Sequence, residues 1–197
     1  MQYLKEDVKT RILAAALKAF KKEGYMDASV RNIAKDAGVA LGNVYRYFKS
    51  KEDLFNAIVD PVYDRLMNYI NNLKKVDKAN SDAVDELMLI KDKIIEVFKD
   101  SSSELLILLD KSKGSKYENM KEGLVLYVDG MLKERLIPEI RGKGLTVKNE
   151  FITYVLASTL LEGVSIILRN NNDGIMISYL ISQLINIYFI DIDKRWE

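Results

Sequence analysis

The sequence predicts an all-α protein of about nine helices, with a three-helix amino-terminal domain and a larger helical carboxyl-terminal domain. Apolar residues recur mostly at three- and four-residue spacing instead of alternating, which indicates helices and not strands. The chain of 197 residues contains only two prolines and ten glycines. Its hydrophobic fraction of 48% can supply a substantial core, so we do not expect a disordered chain.

The first helix is predicted from about Lys5 to Glu23. Its apolar positions share one face and are Val8, Ile12, Ala16, Ala19 and Phe20. Gly24 is expected to end this helix, because glycine adopts the left-handed conformation that often follows a helix without steric cost. We expect the helix to pack across the back of the two helices that follow.

Residues 29–48 have the pattern of a helix-turn-helix. An apolar face predicts one helix from about Val30 to Ala37, and Ser29 stands at its N-cap position. Gly38 allows a sharp turn, and a second helix starts near Leu41. This second helix should bury Val44 and Phe48 and turn outward Asn43, Arg46, Tyr47 and part of Tyr45. An amide, a guanidinium and two phenols on one face can contact base edges and phosphate oxygens of DNA.

A fourth helix is predicted to begin at Lys51. Ser50 and Asp53 match a capping signature ahead of an apolar run. Lys51 and the positive end of this helix could hold a phosphate, although an ordinary capped helix explains the same pattern. Pro61 lies ten residues into the helix and predicts a kink or break near Asp60, because proline cannot donate the helical hydrogen bond.

The middle of the chain predicts further helices. A polar connector, Lys74 to Ser81, precedes a helix from about Asp82 to Phe98. Capping signatures that start at Ser101 and Ser115 predict a short helix and then a longer helix, which Pro138 should close. Within the longer helix, Gly123 and Gly130 suggest either close helix contact or room for a ligand, and contact is the commoner explanation.

The last two helices, about Val147 to Arg169 and Gly174 to Ile190, are apolar around most of their circumference. One chain of this size cannot cover both, so we infer a homodimer whose interface is a four-helix bundle made of this pair from each subunit. The run from Gly174 to Ile190 is shorter than a membrane span and contains polar residues, which disfavours a membrane protein.

Composition excludes several classes of chemistry. The chain has no cysteine and no histidine, so zinc sites, disulfides and Cys- or His-based catalysis are not expected. Neither a glycine-rich phosphate loop nor a paired carboxylate motif is present, and we expect no enzyme, no metal and no cofactor. Residues 1–53 hold eleven Lys and Arg against seven Asp and Glu, whereas the remainder holds 19 against 22. The amino terminus lacks the hydrophobic run of a signal peptide, which predicts a cytoplasmic location.

As an ensemble, the motifs of the first quarter of the chain resemble the signature of the TetR family of bacterial transcriptional regulators. The matching residues are Phe20, Gly24, Ser29, Ile33-Ala34, Ala37-Gly38-Val39, Asn43, Tyr45-Arg46-Tyr47-Phe48 and Lys51-Glu52-Asp53-Leu54. The resemblance implies a DNA-binding domain of residues 1–53 and a ligand-binding and dimerisation domain of residues 54–197. It implies a homodimer that binds a palindromic operator, usually as a repressor, and is released by a small-molecule effector.

The resemblance also assigns residues to roles. It implies phosphate contacts for Ser29, Arg31, Tyr47 and Lys51, and proximity to bases for Asn43, Tyr45 and Arg46. Candidate effector contacts on the carboxyl-terminal helices are Met67, Phe98, Leu105, Tyr127, Met131, Tyr154 and Glu162. For each of these seven, core or dimer packing is the alternative role, and Glu162 could instead pair with Arg169. Two other functions stay open, namely activation of transcription and a DNA-binding or interaction module with a filled core and no effector.

Overall fold

The computed structural model describes residues 2–73 and 83–190, which form helices and no strand. The all-α prediction is therefore confirmed for these residues. The helices are α1 (Gln2–Asp27), α2 (Val30–Asp36), α3 (Leu41–Tyr47), α4 (Lys51–Leu73), α5 (Ala83–Asp110), α6 (Met120–Met131), α7 (Ile137–Gly142), α8 (Phe151–Asn170) and α9 (Gly174–Phe189). A π-helical turn, Leu132–Leu136, joins α6 to α7. The predicted connector Lys74 to Ser81 and the predicted helix start at Asp82 lie outside the described residues.

Two of the long helices are interrupted where the sequence predicts a boundary. Gly24 in α1 has a φ of 84° and a ψ of 168°, which lies outside the helical region. Ser101 in α5 has a φ of −137° and a ψ of 35°, so a second helical segment starts there. The glycine that was expected to end the first helix and the serine that was expected to open a new one are both confirmed as interruptions.

Helix α4 runs without a break from Lys51 to Leu73, with Pro61 inside it. Of the kink or break predicted near Asp60, the break is therefore wrong, and the kink stays a prediction. Apolar side chains are buried on both sides of the proline, including Val59 and Val62 at 0% and 3% exposure. We infer that burial along the whole helix offsets the roughly 3 kcal/mol that an interior proline costs.

The predicted helix start at Ser115 is also wrong, because α6 begins at Met120. The Ser115 hydroxyl instead donates to the carbonyl of Ser112 at 2.7 Å, and the Gly114 N–H donates to the Glu118 carboxylate at 3.1 Å. These hydrogen bonds build a turn and not a helix cap. Pro138 does not close the helical run either, since it lies in the first turn of α7, directly after the π-helical turn Leu132–Leu136 that joins α6 to α7.

The chain divides into two compact units. The amino-terminal unit contains Met1–Arg65 and Ser103–Asn119, and the carboxyl-terminal unit contains Leu66–Ser102 and Met120–Glu197. Helices α4 and α5 therefore each contribute residues to both units. The functional division into residues 1–53 and 54–197 stays a prediction.

In the carboxyl-terminal unit, α8 packs against both α6 and α9. Gly163 of α8 permits close approach to α9, because a Cβ at this position would lie 2.9 Å from a methyl carbon of Leu184. A Cβ at Gly123 or Gly130 would meet no atom within 4 Å. The close helix contact predicted at those two glycines is therefore wrong, and Gly163 provides it instead.

Candidate nucleic-acid interface

The short helix α3 has one buried face and one exposed face. Val44 and Phe48 are 1% and 5% exposed, so they anchor the helix to the core of the amino-terminal unit. Tyr45 is 49% exposed and Arg46 is also exposed, while Asn43 and Tyr47 are partly buried. The four polar side chains predicted on the outward face are thus all at least partly accessible. Their donors and acceptors can reach base edges or phosphates in a DNA groove.

The turn between α2 and α3 depends on Gly38, whose φ is 66°. In this left-handed conformation, the Gly38 N–H donates to the Lys35 carbonyl at 3.1 Å and the Val39 N–H donates to the Ala34 carbonyl at 3.0 Å. The Arg11 guanidinium of α1 donates to the Ala37 carbonyl at 3.3 Å. These bonds satisfy the carbonyls at the end of α2 and fix the direction in which α3 leaves the turn.

Ser29 and Arg31 lie at the start of α2. Ser29 occupies the N-cap position, and its carbonyl accepts the Ile33 N–H at 3.0 Å, but its hydroxyl makes no cap hydrogen bond. The N-cap position predicted for Ser29 is therefore confirmed. Arg31 is exposed on the first turn of the helix. A partly buried hydroxyl and an exposed guanidinium are both suitable donors to phosphate oxygens.

The start of α4 is capped as the sequence predicts. The Asp53 N–H donates to the Ser50 hydroxyl at 3.0 Å, and the Asp53 carboxylate accepts the Lys49 N–H at 3.1 Å. The Lys51 ammonium donates to the Met26 carbonyl at 2.8 Å and lies 4.9 Å from the centre of the Tyr25 ring. Burial lowers the pKa of Lys51 below its ordinary value, and the charge of Asp27 opposes that shift.

The segment Ser103–Asn119 is part of the amino-terminal unit, whereas the sequence predicts that it belongs to the carboxyl-terminal domain of residues 54–197. Its Lys111 carbonyl accepts the Tyr25 N–H at 2.7 Å, and its Ser103 hydroxyl accepts a hydrogen bond from Lys21 at 3.1 Å. Its Tyr117 hydroxyl donates to Asp60 of α4. No sequence signal for these contacts was evident, because each joins residues more than fifty positions apart.

The seven candidate effector contacts do not share one environment. Phe98 and Leu105 are buried at 7% and 1% exposure, and Leu105 belongs to the amino-terminal unit while the other six belong to the carboxyl-terminal unit. The four that are partly buried are Met67, Tyr127, Met131 and Tyr154. Burial raises the pKa of Tyr127, with a smaller contribution from the charge of Glu134. The assignment of these seven residues to an effector site stays a prediction.

Glu162 is an exposed member of an ion-pair network between α6 and α8. Its carboxylate accepts a hydrogen bond from Lys121 at 2.6 Å and another from Arg169. The hydrogen bond from Lys121 is the largest effect and lowers the pKa of Glu162 below its ordinary value; burial opposes this shift, and the hydrogen bond from Arg169 adds to it. Pairing with Arg169, the alternative that the sequence left open for this residue, is therefore present in the structure.

Two further features bear on function. Among residues 2–73 and 83–190, no group of three or more carboxylates is placed to hold a metal ion. Phe151–Asn170 is long and apolar enough to cross a membrane, a property that core helices of globular proteins share. The run Gly174–Phe189, for which the sequence disfavours a membrane span, is a shorter apolar helix.

Known proteins resemble this chain in two ways, through the sequence of its amino-terminal region and through its fold. Residues 12–58 match a family model described as bacterial regulatory proteins, tetR family. The Fatty acid metabolism regulator protein of Bacillus subtilis (strain 168) is 26% identical over 144 residues, which are 70% of this chain and 73% of that protein. Two HTH-type transcriptional regulators of the same organism match over 30% and 49% of their own lengths.

Solved structures show the same fold over nearly the whole chain. A TetR-family regulator from Streptomyces coelicolor A3 superposes with a TM-score of 0.67 at 17% identity, covering 91% of this chain and 89% of that one. AibR, solved in complex with isovaleryl coenzyme A and operator DNA, superposes with a TM-score of 0.59 at 16% identity, covering 92% and 98%. At these identities the likeness establishes the fold alone.

Proposed function

We propose that this chain, a member of the TetR family of bacterial transcriptional regulators, binds a palindromic operator as a homodimer, represses transcription there and is released by a small-molecule effector. The exposed polar face of α3, held by the buried Val44 and Phe48, is the observation that carries the DNA-binding part of this proposal. A cytoplasmic location follows from that role, because the operator lies on bacterial DNA.

The roles of the DNA-contacting residues follow from their accessibility. Asn43, Tyr45 and Arg46 lie on α3 and would approach bases, because a recognition helix lies in the major groove. The phosphate contacts would come from Ser29, Arg31, Tyr47 and Lys51, which flank or end the two helices of the motif. In a dimer the two recognition helices would lie about 34–36 Å apart, so that they read adjacent major grooves on one face of the DNA.

The homodimer is supported by large apolar side chains that α8, α9 and the residue after α9 leave exposed. These residues are Phe151, Ile152, Val155, Ile166, Ile175, Met176, Tyr179, Ile187 and Ile190, with exposed fractions from 37% to 67%. Burying them against a second copy would remove a large apolar surface from water. The same surface on both subunits would meet across a two-fold axis.

An acyl-coenzyme A is the effector class that we propose to test first. The Bacillus subtilis relative of 26% identity is named as a fatty acid metabolism regulator, and AibR was solved with isovaleryl coenzyme A. The acyl chain would contact the partly buried Met67, Tyr127 and Met131 of the carboxyl-terminal unit. The effector would release DNA only if its affinity is higher for the conformation that cannot bind the operator. Equal affinity for both conformations would leave their populations unchanged.

The experiment begins with the DNA upstream of the protein's own gene and of its neighbours. The dimer should protect an inverted repeat from nuclease cleavage, and acyl-coenzyme A compounds of increasing chain length are then titrated into the complex. Release by one range of chain lengths, but not by free coenzyme A, supports the proposal. Protection that no acyl-coenzyme A relieves would overturn this effector class, and absence of any protected repeat would refute operator binding.

A further inference from the structure

The turn at Gly24–Met26 connects three parts of the amino-terminal unit. The backbone leaves helical geometry at Gly24, where φ is 84°. The Tyr25 N–H then donates to the Lys111 carbonyl at 2.7 Å, and the Met26 carbonyl accepts the Lys51 ammonium at 2.8 Å. One peptide turn therefore holds the segment that contains Lys111 on one side and the first residue of α4 on the other.

The Tyr25 ring is itself fixed by two other aromatic rings. Its centroid lies 4.7 Å from that of Phe55, and the Phe55 centroid lies 5.0 Å from that of Phe20 in an edge-to-face arrangement. Phe20 and Phe55 are both fully buried. The Lys51 ammonium, 4.9 Å from the centre of the Tyr25 ring, therefore lies over a ring that is itself packed in an aromatic cluster.

This arrangement satisfies the Lys51 ammonium only in part. An ammonium has three donors, and the Met26 carbonyl accepts one of them. The face of an aromatic ring attracts the positive charge without using a donor in a directional hydrogen bond. A free lysine side chain loses rotamer entropy when it binds a phosphate. A lysine side chain that is already held by other contacts loses less rotamer entropy when it binds a phosphate.

Resting on the proposed DNA binding, we propose that Tyr25 is a positioning residue for Lys51: its ring, together with the Met26 carbonyl, holds the ammonium in place for a phosphate of the DNA backbone. The lowered pKa of Lys51, caused first by burial, agrees with a side chain that is partly withdrawn from water before DNA arrives. Tyr25 itself would not touch DNA in this arrangement, so it acts through Lys51.

A double-mutant cycle on a mixed-sequence DNA duplex tests this role, because phosphate contacts do not depend on sequence. Lys51→Ala should lower the slope of log affinity against log salt concentration by about one. Tyr25→Leu should weaken binding roughly two- to fivefold in the wild-type background, as loss of a cation–π contact predicts, with an unchanged salt slope. In the Lys51→Ala background, Tyr25→Leu should have no further effect.

Tyr25→Phe is the matched control, because it keeps the ring and should bind like the wild type. An equal loss from Tyr25→Leu in both backgrounds would overturn the proposal, since Tyr25 would then act on the fold and not through Lys51. Tighter binding by Tyr25→Leu would overturn it as well, because the ring would be withholding Lys51 from DNA. If the wild type binds no duplex at all, the proposed function itself fails.

A measurement on the unaltered protein covers the case in which Tyr25→Leu does not fold. The ring current of Tyr25 should shift the NMR signals of the Lys51 side-chain methylene nearest the ammonium, and this shift should persist when duplex DNA is added. Loss of the ring-current shift on DNA binding would overturn the proposal, because Lys51 would have left the ring to reach its phosphate.

Discussion

The Tyr117 hydroxyl donates a hydrogen bond of 2.5 Å to the Asp60 carboxylate, across 57 positions of sequence. The Lys116 ammonium lies 3.2 Å from the same carboxylate oxygen, and the Tyr117 ring lies 4.8 Å from that of Tyr63 on α4. Burial first, and the bond to Asp60 second, raise the pKa of Tyr117 to about 12. The turn before α6 is thereby attached to the same helix that begins at Lys51.

We predict that Tyr117→Phe lowers the free energy of unfolding by about 1 kcal/mol at neutral pH, because one hydrogen bond to a charged group is lost while the ring is kept. A tyrosine whose pKa is higher in the folded state favours folding fully below its unfolded pKa of about 10. That contribution falls as the pH rises from about 10 to 12, so the wild type should lose more stability over this range than Tyr117→Phe does.

Denaturant unfolding of both proteins at neutral pH and across this alkaline range measures the effect of Tyr117→Phe. The matched control is Tyr63→Phe, which removes the hydroxyl of the ring that packs on Tyr117 and should change stability less. If the free energy of unfolding falls equally at alkaline pH in the wild type and in Tyr117→Phe, ionisation of Tyr117 is not the cause of the fall.

A second prediction concerns the buried carboxylate of Asp129 on α6, which is 7% exposed. It accepts hydrogen bonds from the Thr153 hydroxyl at 2.5 Å and from Lys133 at 2.7 Å. Thr153→Val keeps the shape of the side chain but removes the donor, and it should lower the free energy of unfolding by about 1–3 kcal/mol at neutral pH. Thr153→Ser keeps the hydroxyl and should be affected less. Chemical denaturation of the three proteins decides between these outcomes.

The same site predicts a pH dependence. Burial raises the pKa of Asp129, but the hydrogen bonds from Lys133 and Thr153 and the charge of Lys133 together hold it below the ordinary value. A depressed carboxyl pKa favours folding above the unfolded value of about 3.9, and this contribution is lost as the pH falls below it. Thr153→Val should therefore reduce the loss of stability on acidification, and a loss equal to that of the wild type would count against this account.

The third prediction compares two glycines in the carboxyl-terminal unit. A Cβ at Gly174, the first residue of α9, would lie 2.1 Å from the Lys99 carbonyl oxygen, which is backbone and cannot move aside cheaply. Gly174→Ala should therefore lower the melting temperature, with a cost of about 1–3 kcal/mol. Gly123→Ala is the matched control, because its Cβ would enter open space and should stabilise α6 by about 0.5–1 kcal/mol. Stabilisation by Gly174→Ala would contradict the close contact.

The fourth prediction tests the proposed homodimer. Ile187 on α9 is 62% exposed, so Ile187→Glu should leave the subunit folded while placing a charge in the interface. Analytical ultracentrifugation should then find monomers, and operator affinity should fall. Leu126→Glu on α6 is the control, since Leu126 is similarly exposed at 54% but lies outside the two proposed interface helices. A dimeric Ile187→Glu protein would rule out this interface.

The fifth prediction concerns base recognition by Asn43, a partly accessible residue on α3. If its amide reads a base, Asn43→Ala should relax the preference at particular operator positions by about 1–3 kcal/mol. Binding to a set of operators with single base-pair changes measures this preference. Asn32→Ala changes an exposed asparagine of α2 and should leave the preference intact. Uniform weakening by Asn43→Ala would mean that the side chain only contacts the backbone of the DNA.

Local patterns in the sequence predicted the helix-turn-helix closely. The first helix was expected from Val30 to Ala37 and runs from Val30 to Asp36, and the second was expected near Leu41 and starts there. The left-handed glycine at 38 and the cap at Ser50 are also present. Each of these features depends on residues within about four positions of each other, where helical spacing and backbone sterics act directly.

The same local rules failed where distant residues compete with them. A capping signature at Ser115 gave way to a turn that is attached to α4 through Tyr117, and Pro61 did not break a helix whose buried side chains continue past it. The close approach at Gly163 on α8 depends on Leu184, twenty-one residues away. The residues around Gly163 do not distinguish it by local spacing from Gly123 on α6, which has open space beside it.

The sequence by itself determined an all-α chain, the helix-turn-helix and the residue types on its outward face, because these follow from local spacing and conformational preference. Tertiary structure decided that Ser103–Asn119 belongs to the amino-terminal unit, that Lys51 is held by Tyr25 and Met26, and which glycines permit close packing. Those outcomes depend on which side chains meet after the helices pack, and pairs that are far apart in the sequence carry no local signal of that meeting.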